Sequence, residues 1–381
     1  VEENLSSEQV QKQSKKESLY VISSFANKIF QKTLWETQEG KTVALNYFKE
    51  RRFTDQSIKK FELGYNTKEK NGISKKAIKN GFDKNLLVES GISILNNKTQ
   101  ETSDRFRERI IFPIHSFSGR VLGFGARAFN ANAKAKYLNS PESVIYYKSK
   151  VLYGLFQAKS KISKEDNCFI VEGYTDVIRM HQNGIQNVVA ASGTALSVEQ
   201  LHLITRITKN ITLLFDGDGA GIKATYRTIN LALKEGLNVT VVVFPKGEDP
   251  DSYSKKISQD EYCSFIKNEA LSFIDYKMMI SKLSEQKDPR EIVKIKRDIF
   301  VSIAHISDAL IRAQYCKTYH KKLDINEETM LKEVARARLQ VNHNEESFEK
   351  SVNHTTIKKE GSIKNQKVAS EKLISFEKEV L

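Results

Sequence analysis

Residues 211–221 read ITLLFDGDGAG, a run of strand-forming residues that ends on two aspartates separated by a glycine. Side chains two positions apart on an extended chain point to the same side, so Asp216 and Asp218 are expected to converge. Two carboxylates about 4 Å apart repel each other by about 4 kcal/mol at an effective dielectric constant of 20. The stretch therefore predicts a buried strand that ends in two acids, whose mutual repulsion is offset by protons or by cations.

The sequence around this stretch alternates strands with helices. Near-continuous apolar strands separated by helices are typical of a parallel sheet covered on both faces, and ligands bind such sheets at the carboxyl ends of the strands. The predicted strands are NCFIVE (167–172), NVVAA (187–191), ITLLFD (211–216) and NVTVVVF (238–244), and the predicted helices are YTDVIRMHQNG (174–184), SVEQLHLITRI (197–207) and AGIKATYRTINLALKEG (220–236).

Further acids fall at the same predicted edge of the sheet. Glu172 ends the first strand, and the segment GEDPDSY (247–253) follows the last one. Carboxylate oxygens of this kind suit Mg²⁺ or Mn²⁺. Asp249 and Asp251 then supply a second cation position, or Asp249 is simply the N-cap of a helix. Other chemistries have no support, since the chain lacks a Walker phosphate loop and a nucleophilic Ser/His/Asp arrangement.

The composition restricts the partners and the compartment. Lys and Arg total 61 against 47 acids, a net charge of +14 that suits a polyanionic partner, although solubility alone also explains it. The chain has neither an apolar run of membrane-spanning length nor a signal peptide, so we expect a cytoplasmic protein without a membrane partner. Its three cysteines, Cys168, Cys263 and Cys316, form no pair with zinc-ligand spacing, so no zinc is expected.

The segment DRFRERIIFPIHSFSGRVLGFGAR (104–127) predicts two strands joined by a turn at residues 116–119. Arg105, Arg107 and Arg109 alternate along the first predicted strand and share one face, and Arg127 returns to the same end. Arginine forks match phosphate oxygens, so this face predicts nucleic-acid or nucleotide binding. The alternative is a solvated strand face. Residues 64–103 show no clear period and are expected to be irregular.

Three of these segments, VEGYTDVI (171–178), DGDGAG (216–221) and GEDPDSY (247–253), resemble the Toprim motif set. Upstream segments resemble successive signatures of the polymerase domain of bacterial replicative primases. They are YFKERRFTDQSIKKFELGY (47–65), DRFRERIIFPI (104–114), GRVLGFGAR (119–127), KYLNSPES (136–143) and YKSKVLYGL (147–155).

The resemblance implies an α/β fold in which a central Toprim parallel sheet carries helices on both faces. A basic mixed α/β N-terminal subdomain and a C-terminal helical subdomain flank it. The expected segments are a linker at 1–18, the basic subdomain at 19–165, the Toprim domain at 166–257, the helical subdomain at 258–340 and a polar linker or tail at 341–381.

The resemblance also assigns roles to residues. Glu172, Asp216 and Asp218 would be catalytic, with Glu172 acting as a metal ligand or as a general base. The metal set would be these three acids with Asp176, Asp249 and Asp251. Nucleotide or template binding falls to Arg51, Arg105, Arg127, Lys136, Asn139 and Lys148. Tyr137, Tyr146 and Tyr147 either stack on bases or pack under the loop. Arg52 departs from the small residue usual at its position, which puts the local register in doubt.

The implied activity is metal-dependent synthesis of RNA primers from NTPs on single-stranded DNA during replication, with Mg²⁺ or Mn²⁺ as the cofactor. The chain looks like the catalytic core of a longer primase, and a replicative helicase is expected as a partner only for the full-length protein. The alternatives are a Toprim nuclease or topoisomerase-like enzyme, and a non-catalytic DNA-binding scaffold. The complete set of acids argues against a scaffold.

Overall fold

The structure is a computed structural model that describes residues 7–129, 135–191, 195–215, 219–245 and 247–343. The predicted acids Asp216 and Asp218 and most of the predicted tail lie outside these residues. The chain divides into two compact units between Tyr276 and Lys277. In the described ranges, no helix has the length and apolar character needed to span a bilayer.

The N-terminal part of the first unit contains a four-stranded antiparallel sheet with the strand order β1-β4-β5-β6 and a separate two-stranded sheet of β2 and β3. Its strands are β1 (Gly64–Asn66), β2 (Ser93–Leu95), β3 (Thr102–Asp104), β4 (Arg109–His115), β5 (Val121–Ala128) and β6 (Tyr137–Asn139). Its helices are α1 (Ser7–Glu36), α2 (Asn46–Glu50), α3 (Asp55–Lys60), α4 (Gly72–Lys79), α5 (Lys84–Glu89) and α6 (Leu155–Glu165).

The rest of the first unit is built on a five-stranded sheet with the order β11-β10-β9-β7-β8. The strands β10, β9, β7 and β8 run parallel, and only β11 is antiparallel to its neighbour. The predicted Toprim-like parallel sheet is thereby confirmed. Its strands are β7 (Cys168–Val171), β8 (Val188–Ala190), β9 (Asn210–Leu213), β10 (Asn238–Val242) and β11 (Ala270–Ser272). Its helices are α7 (Tyr174–Gln182), α8 (Val198–Thr205), α9 (Gly219–Lys234), α10 (Pro250–Tyr253) and α11 (Gln259–Asn268), and α12 (Phe273–Ile280) crosses the boundary to the second unit.

The strand β4 explains how the two sheets come together. Its alternate side chains enter two different apolar clusters, because successive residues of a strand face opposite sides of the sheet. Ile111 faces the cluster that contains Phe30 of α1, whereas Phe112 stacks on Tyr174 of α7 with ring centres 5.3 Å apart. The antiparallel sheet is therefore packed between α1 and the helix that follows Glu172.

The structure corrects three expectations. Residues 7–18 are part of the helix α1 and not of a linker. The parallel-sheet domain continues past residue 257, because β11 pairs with β10 and the unit ends at Tyr276. Residues 64–103 are not irregular, since they contain α4, α5 and three short strands. Strands of three residues are too short for a period to be recognised in the sequence.

The second unit is helical in its described part, as the sequence predicts for this region. It contains α13 (Pro289–His305), α14 (Ala309–Tyr319) and a helix at 327–343. Lys277 is 1% exposed and donates to a carboxylate oxygen of Asp298 at 2.7 Å. Burial lowers the pKa of Lys277, and the Asp298 carboxylate opposes that shift.

Candidate active site

The exposed side chain of Glu172 lies at the carboxyl end of β7, directly after Val171. The neighbouring parallel strand β9 reaches the same edge, because the amide of Leu214 donates to the carbonyl of Ile170 at 2.9 Å. The described chain continues to Phe215 there, immediately before the predicted acid pair. The structure thus places Glu172 and the residue that precedes Asp216 at one edge of the sheet.

The other predicted acids of the Toprim motifs have local structural roles. Asp176 lies in the first turn of α7, where its carboxylate accepts from the amide of Gly173 at 3.0 Å. Asp249 is the N-cap of α10 and accepts from the amide of Ser252 at 2.6 Å through Oδ1. Acids at these positions are favoured by the unpaired amides of a helix N-terminus. The N-cap alternative for Asp249 is therefore realised, and the cap uses only one of its carboxylate oxygens.

Asp251 is the centre of an ion-pair network, with 13% of its side chain exposed. It receives the Nε of Arg179 at 2.9 Å, the Nζ of Lys255 at 2.6 Å and, more loosely, an Nη of Arg51 at 3.7 Å. Burial acts to raise the pKa of Asp251, but hydrogen bonds from Lys255 and Arg179 outweigh it and hold the pKa below its ordinary value. A metal ion at Asp251 has to compete with these cations, so its metal role stays a prediction.

Among the residues that the structure describes, no three or more His, Cys, Asp or Glu side chains are grouped so as to hold a metal ion. The predicted set has its two central members, Asp216 and Asp218, outside those residues. Glu172 is exposed at the sheet edge and offers the hard oxygen donors that a divalent cation prefers. The chemistry of the described donors is therefore compatible with the predicted cation.

Two predicted arginines meet across one tyrosine. The guanidinium carbons of Arg51 and Arg127 lie 5.3 and 5.2 Å from the ring centre of Tyr47, and Arg127 also donates to the Tyr47 hydroxyl. Arg127 lies 5.4 Å from the ring centre of Tyr137, which is about half exposed. We call Tyr47, Arg51, Arg127 and Tyr137 the aromatic–arginine cluster.

Burial controls the protonation of the cluster's central tyrosine. It raises the pKa of Tyr47 to about 12, although the nearby charges of Arg51 and Arg127 act in the opposite direction. Tyr47 is therefore a neutral phenol at physiological pH. Because the arginines are held by aromatic faces, the cluster presents positive charge together with ring surfaces, a combination that suits phosphates and bases.

The predicted row of three arginines on one strand face is wrong. The strand β3 ends at Asp104, residues 105–108 form a turn in which Glu108 has φ of +52°, and β4 begins at Arg109. Arg105 is partly buried, whereas Arg107 is exposed. Alternating charged and apolar residues are typical of a strand, but here residues 105–108 form a turn between two strands.

The expectation that Arg127 returns to the same end of the hairpin as Arg109 is confirmed. Ile110 pairs with Arg127 and Arg109 with Ala128, so both arginines are at the same end of the hairpin. The guanidinium of Arg109 donates to the carbonyls of Ala135 and Lys136 at 2.9 and 3.4 Å. Arg109 thereby fixes the loop from which the exposed Lys136 projects.

The two remaining predicted binding residues have different surroundings. Asn139 on β6 accepts a hydrogen bond from the hydroxyl of Tyr174 at 2.8 Å, which ties the basic signature to the residue two positions after Glu172. Lys148 begins a short 3₁₀ helix, and its carbonyl accepts from Gln200 at 3.0 Å. Of the three tyrosines noted in the sequence, Tyr146 is buried at 1% exposure and packs in the core, while Tyr137 and Tyr147 are exposed.

Sequence reasoning missed three side chains that organise the site, namely Tyr47, Tyr174 and Arg179. Tyr47 and Arg127 are separated by 80 residues, and Arg179 and Asp251 by 72. The local periodicity of a sequence cannot reveal contacts between residues that are this far apart. An arginine within a predicted helix is expected on its solvent face, yet Arg179 is only 3% exposed.

Two family models match the chain. Residues 29–159 match the model of the DNA primase catalytic core, N-terminal domain, and residues 169–254 match the Toprim-like model. A DNA primase of Staphylococcus epidermidis is 35% identical over 297 residues, which cover 78% of this chain and 49% of the relative. A DNA primase of Staphylococcus aureus is 42% identical over 249 residues, which cover 65% and 41%. The chain spans less than half the length of both relatives.

Solved structures are similar over most of the chain. The structure of the Aquifex aeolicus primase, comprising zinc-binding and RNA polymerase domains, is 30% identical with a TM-score of 0.73. The similar region covers 83% of this chain and 75% of the Aquifex chain. A DnaG primase catalytic domain bound to single-stranded DNA is 28% identical with a TM-score of 0.72 and covers 83% and 99%. The RNA polymerase domain of Mycobacterium tuberculosis DnaG, in complex with double-stranded DNA that has a 6-nucleotide overhang, is 28% identical with a TM-score of 0.68 and covers 81% and 97%.

Proposed function

Because the chain belongs to the bacterial DNA primase family and matches its catalytic-core and Toprim models, we propose that it synthesises RNA primers on single-stranded DNA. The reaction joins NTPs by attack of a 3′-hydroxyl on an α-phosphate, with release of pyrophosphate. The template is proposed from relatives whose structures contain single-stranded or overhanging DNA. A replicative helicase remains a proposed partner of a longer form of the protein.

The observation that carries this proposal is the hydrogen bond between Tyr174 and Asn139. Tyr174 begins α7 two residues after Glu172, and Asn139 lies on β6, whose Tyr137 pairs with Arg127 of β5. The bond therefore joins the acidic edge to the strands that carry Arg127 and Tyr137, two members of the aromatic–arginine cluster. An acidic edge and a basic surface held this close are what nucleotidyl transfer requires, since one handles the reacting oxygens and the other the phosphates.

We assign the roles of the acids from the motif resemblance, together with the position of Glu172 at the sheet edge. Glu172, Asp216 and Asp218 are proposed to hold Mg²⁺ or Mn²⁺, with Glu172 serving as a ligand or as the base that accepts the hydroxyl proton. Asp176 and Asp249 support this set from the first turns of their helices. When bound, the cation would offset charge that develops on the attacking and leaving oxygens.

The basic residues are proposed to bind the template and the NTPs. Arg51 and Arg127 offer planar guanidinium groups for phosphate oxygens, and Tyr137 offers a ring for a base. Lys136, which precedes Tyr137, and Lys148, on a short 3₁₀ helix, add point charges, and Arg105 contributes a partly buried guanidinium from a turn. Binding led by phosphates would weaken as salt rises and depend little on base sequence.

The proposal is tested by incubating the protein with single-stranded DNA, NTPs and Mg²⁺ or Mn²⁺, and by omitting each component in turn. We expect short RNA products that require all of the components. Cleavage of DNA without NTP incorporation would instead indicate a nuclease. Binding of DNA without any metal-dependent product would indicate a scaffold.

A further inference from the structure

Arg179 is a buried arginine on α7, the helix that follows Glu172. Its Nε donates to Asp251 at 2.9 Å, and its Nη1 donates to the carbonyl of Arg52 at 3.1 Å. Its guanidinium carbon lies 5.2 Å from the ring centre of Phe53. A guanidinium is costly to bury unless its charge and its hydrogen bonds are matched. In the described part of the chain Nε and Nη1 of Arg179 are bonded, whereas Nη2 is buried without a hydrogen-bond partner.

The carbonyl that Arg179 contacts belongs to a strained residue. Arg52 has φ of +56°, the left-handed region that favours glycine. Its carbonyl also accepts from Nε2 of Gln182 at 2.8 Å, and the amide of Thr54 donates to Oε1 of the same glutamine at 2.9 Å. The side chains of Arg179 and Gln182 on α7 therefore hold residues 52–54, with Arg52 in a conformation that an arginine seldom adopts.

The carboxylate that Arg179 contacts belongs to α10, the short helix that Asp249 caps. The same carboxylate pairs with Lys255 and lies 3.7 Å from Arg51, a member of the aromatic–arginine cluster. One guanidinium thus binds the chain beside Arg51 on one side and the helix beside Asp249 on the other.

We propose that Arg179 is a positioning residue that fixes the cluster and the turn at 247–253 relative to each other. This inference rests on the primer synthesis proposed above. Arg179 acts through Arg51 and Asp249, and a displacement of about 1 Å in such groups is enough to lower a reaction rate by about 100-fold. Its two hydrogen bonds have separate effects. The bond to Arg52 positions the chain beside Arg51, which is proposed to bind the template. The bond to Asp251 positions the helix α10 and Asp249, which is proposed to support the cation site.

Three variants separate these effects. Arg179→Met removes both bonds while retaining an unbranched side chain. Arg179→Lys keeps a cation for Asp251 but loses the fork that reaches the Arg52 carbonyl at the same time. Gln182→Ala removes the bonds to Arg52 and Thr54 and leaves Asp251 untouched.

The readouts are the KM for single-stranded template and the Mg²⁺ concentration that gives half-maximal primer synthesis. We expect Arg179→Met to raise both by about fivefold or more. Arg179→Lys and Gln182→Ala should raise the template KM by about the same factor and leave the Mg²⁺ requirement within about twofold of wild type. A purely structural role would lower the yield of folded protein without this division.

The matched control is Arg206→Met, because Arg206 is an exposed arginine at the end of α8. It should change neither readout. Wild-type protein that makes no primer would refute the proposed function and, with it, the positioning role. Active wild type, together with an Arg179→Met variant that melts normally and keeps both readouts within about twofold, would overturn the inference.

Discussion

The aromatic–arginine cluster and the turn at 247–253 handle charge in opposite ways. In the cluster, Arg51 and Arg127 flank the ring of Tyr47, so aromatic faces hold them in place. In the turn, Asp251 is surrounded by Arg179, Lys255 and, more distantly, Arg51. Aromatic faces orient a cation without neutralising it, whereas ion pairs cancel most of a charge. The cluster is therefore prepared for an anionic ligand, and the turn is prepared to hold its own shape.

The largest effect is expected at Asp216, an acid that is proposed to bind the cation, unlike Asp251, which holds the turn through its ion pairs. Asp216→Asn is expected to lower primer synthesis by about 100-fold or more, because the cation would lose a central ligand. The fold should survive, since the substitution preserves the size of the side chain. The measurement is the initial rate of RNA synthesis, with circular dichroism as the check on folding. A rate within about threefold of wild type would remove Asp216 from the catalytic set.

Gly125→Ala tests the contact between Tyr174 and Asn139, which joins the acidic sheet edge to the strands that carry Arg127 and Tyr137. A Cβ at Gly125 would lie 2.4 Å from a ring carbon of Tyr174, so the ring has to move and its bond to Asn139 is disturbed. Overpacking of this kind costs about 2 kcal/mol of unfolding free energy. Urea denaturation measures the change, with Gly81→Ala as the comparison. Gly81 has open space around it but φ of +84°. The loss of unfolding free energy in Gly81→Ala therefore reports backbone strain alone.

Arg127→Ala breaks the cluster while leaving the turn intact. We expect the KM for single-stranded template to rise about tenfold, because one charged phosphate contact and one stacking partner are lost. The salt dependence of DNA binding should become shallower as well. Arg206→Ala is the matched control. An unchanged salt dependence and KM would show that the cluster does not bind the template.

Asp251→Asn tests whether the turn is stabilised by its ion pairs. The pKa of Asp251 is lowered below the ordinary 3.8, so its contribution to stability is present above that value and is lost as the pH falls through the folded-state pKa. We expect wild type to exceed the variant by about 1 kcal/mol near pH 7, and the difference to shrink below pH 3.8. Urea midpoints across this pH range give the result. A difference that is the same at every pH would assign the effect to packing.

The smallest expected effect is that of Arg52→Gly. Glycine adopts φ of +56° without strain, which relieves about 1 kcal/mol, but it gains conformational entropy in the unfolded chain. We expect a net stabilisation of about 0.5 kcal/mol, measured by urea denaturation. Since the contacts from Arg179 and Gln182 are made to the Arg52 carbonyl, they survive the substitution. Marked destabilisation would mean that the Arg52 side chain itself, which reaches the carbonyl of Lys255, supports the turn.

Local periods predicted the parallel sheet and the hairpin, because buried strands and amphipathic helices impose them. Glu172 was placed at the sheet edge for the same reason. The prediction that Arg105 and Arg107 lie on a strand was wrong, because charged and apolar residues can also alternate in a turn. The turn here has a positive φ at Glu108. Arg52 departs from the small residue that the resemblance implies. Its backbone adopts the left-handed conformation that a glycine would permit, and donors on α7 hold its carbonyl.

The network around Asp251 could not be predicted from the sequence. Its members come from residues 51, 179, 251 and 255, and only the last two are close in sequence. Such contacts depend on tertiary packing of α7 against α10. They leave no periodic signal.

The acids at the sheet edge are proposed to bind a divalent cation that the reaction needs. This binding is measured by titrating Mn²⁺ into the protein in the presence of an NTP, followed by electron paramagnetic resonance. We expect saturable binding by wild type, and loss of both binding and primer synthesis in the Asp216→Asn/Asp218→Asn variant. Unchanged Mn²⁺ affinity in that variant would show that these acids do not hold the cation.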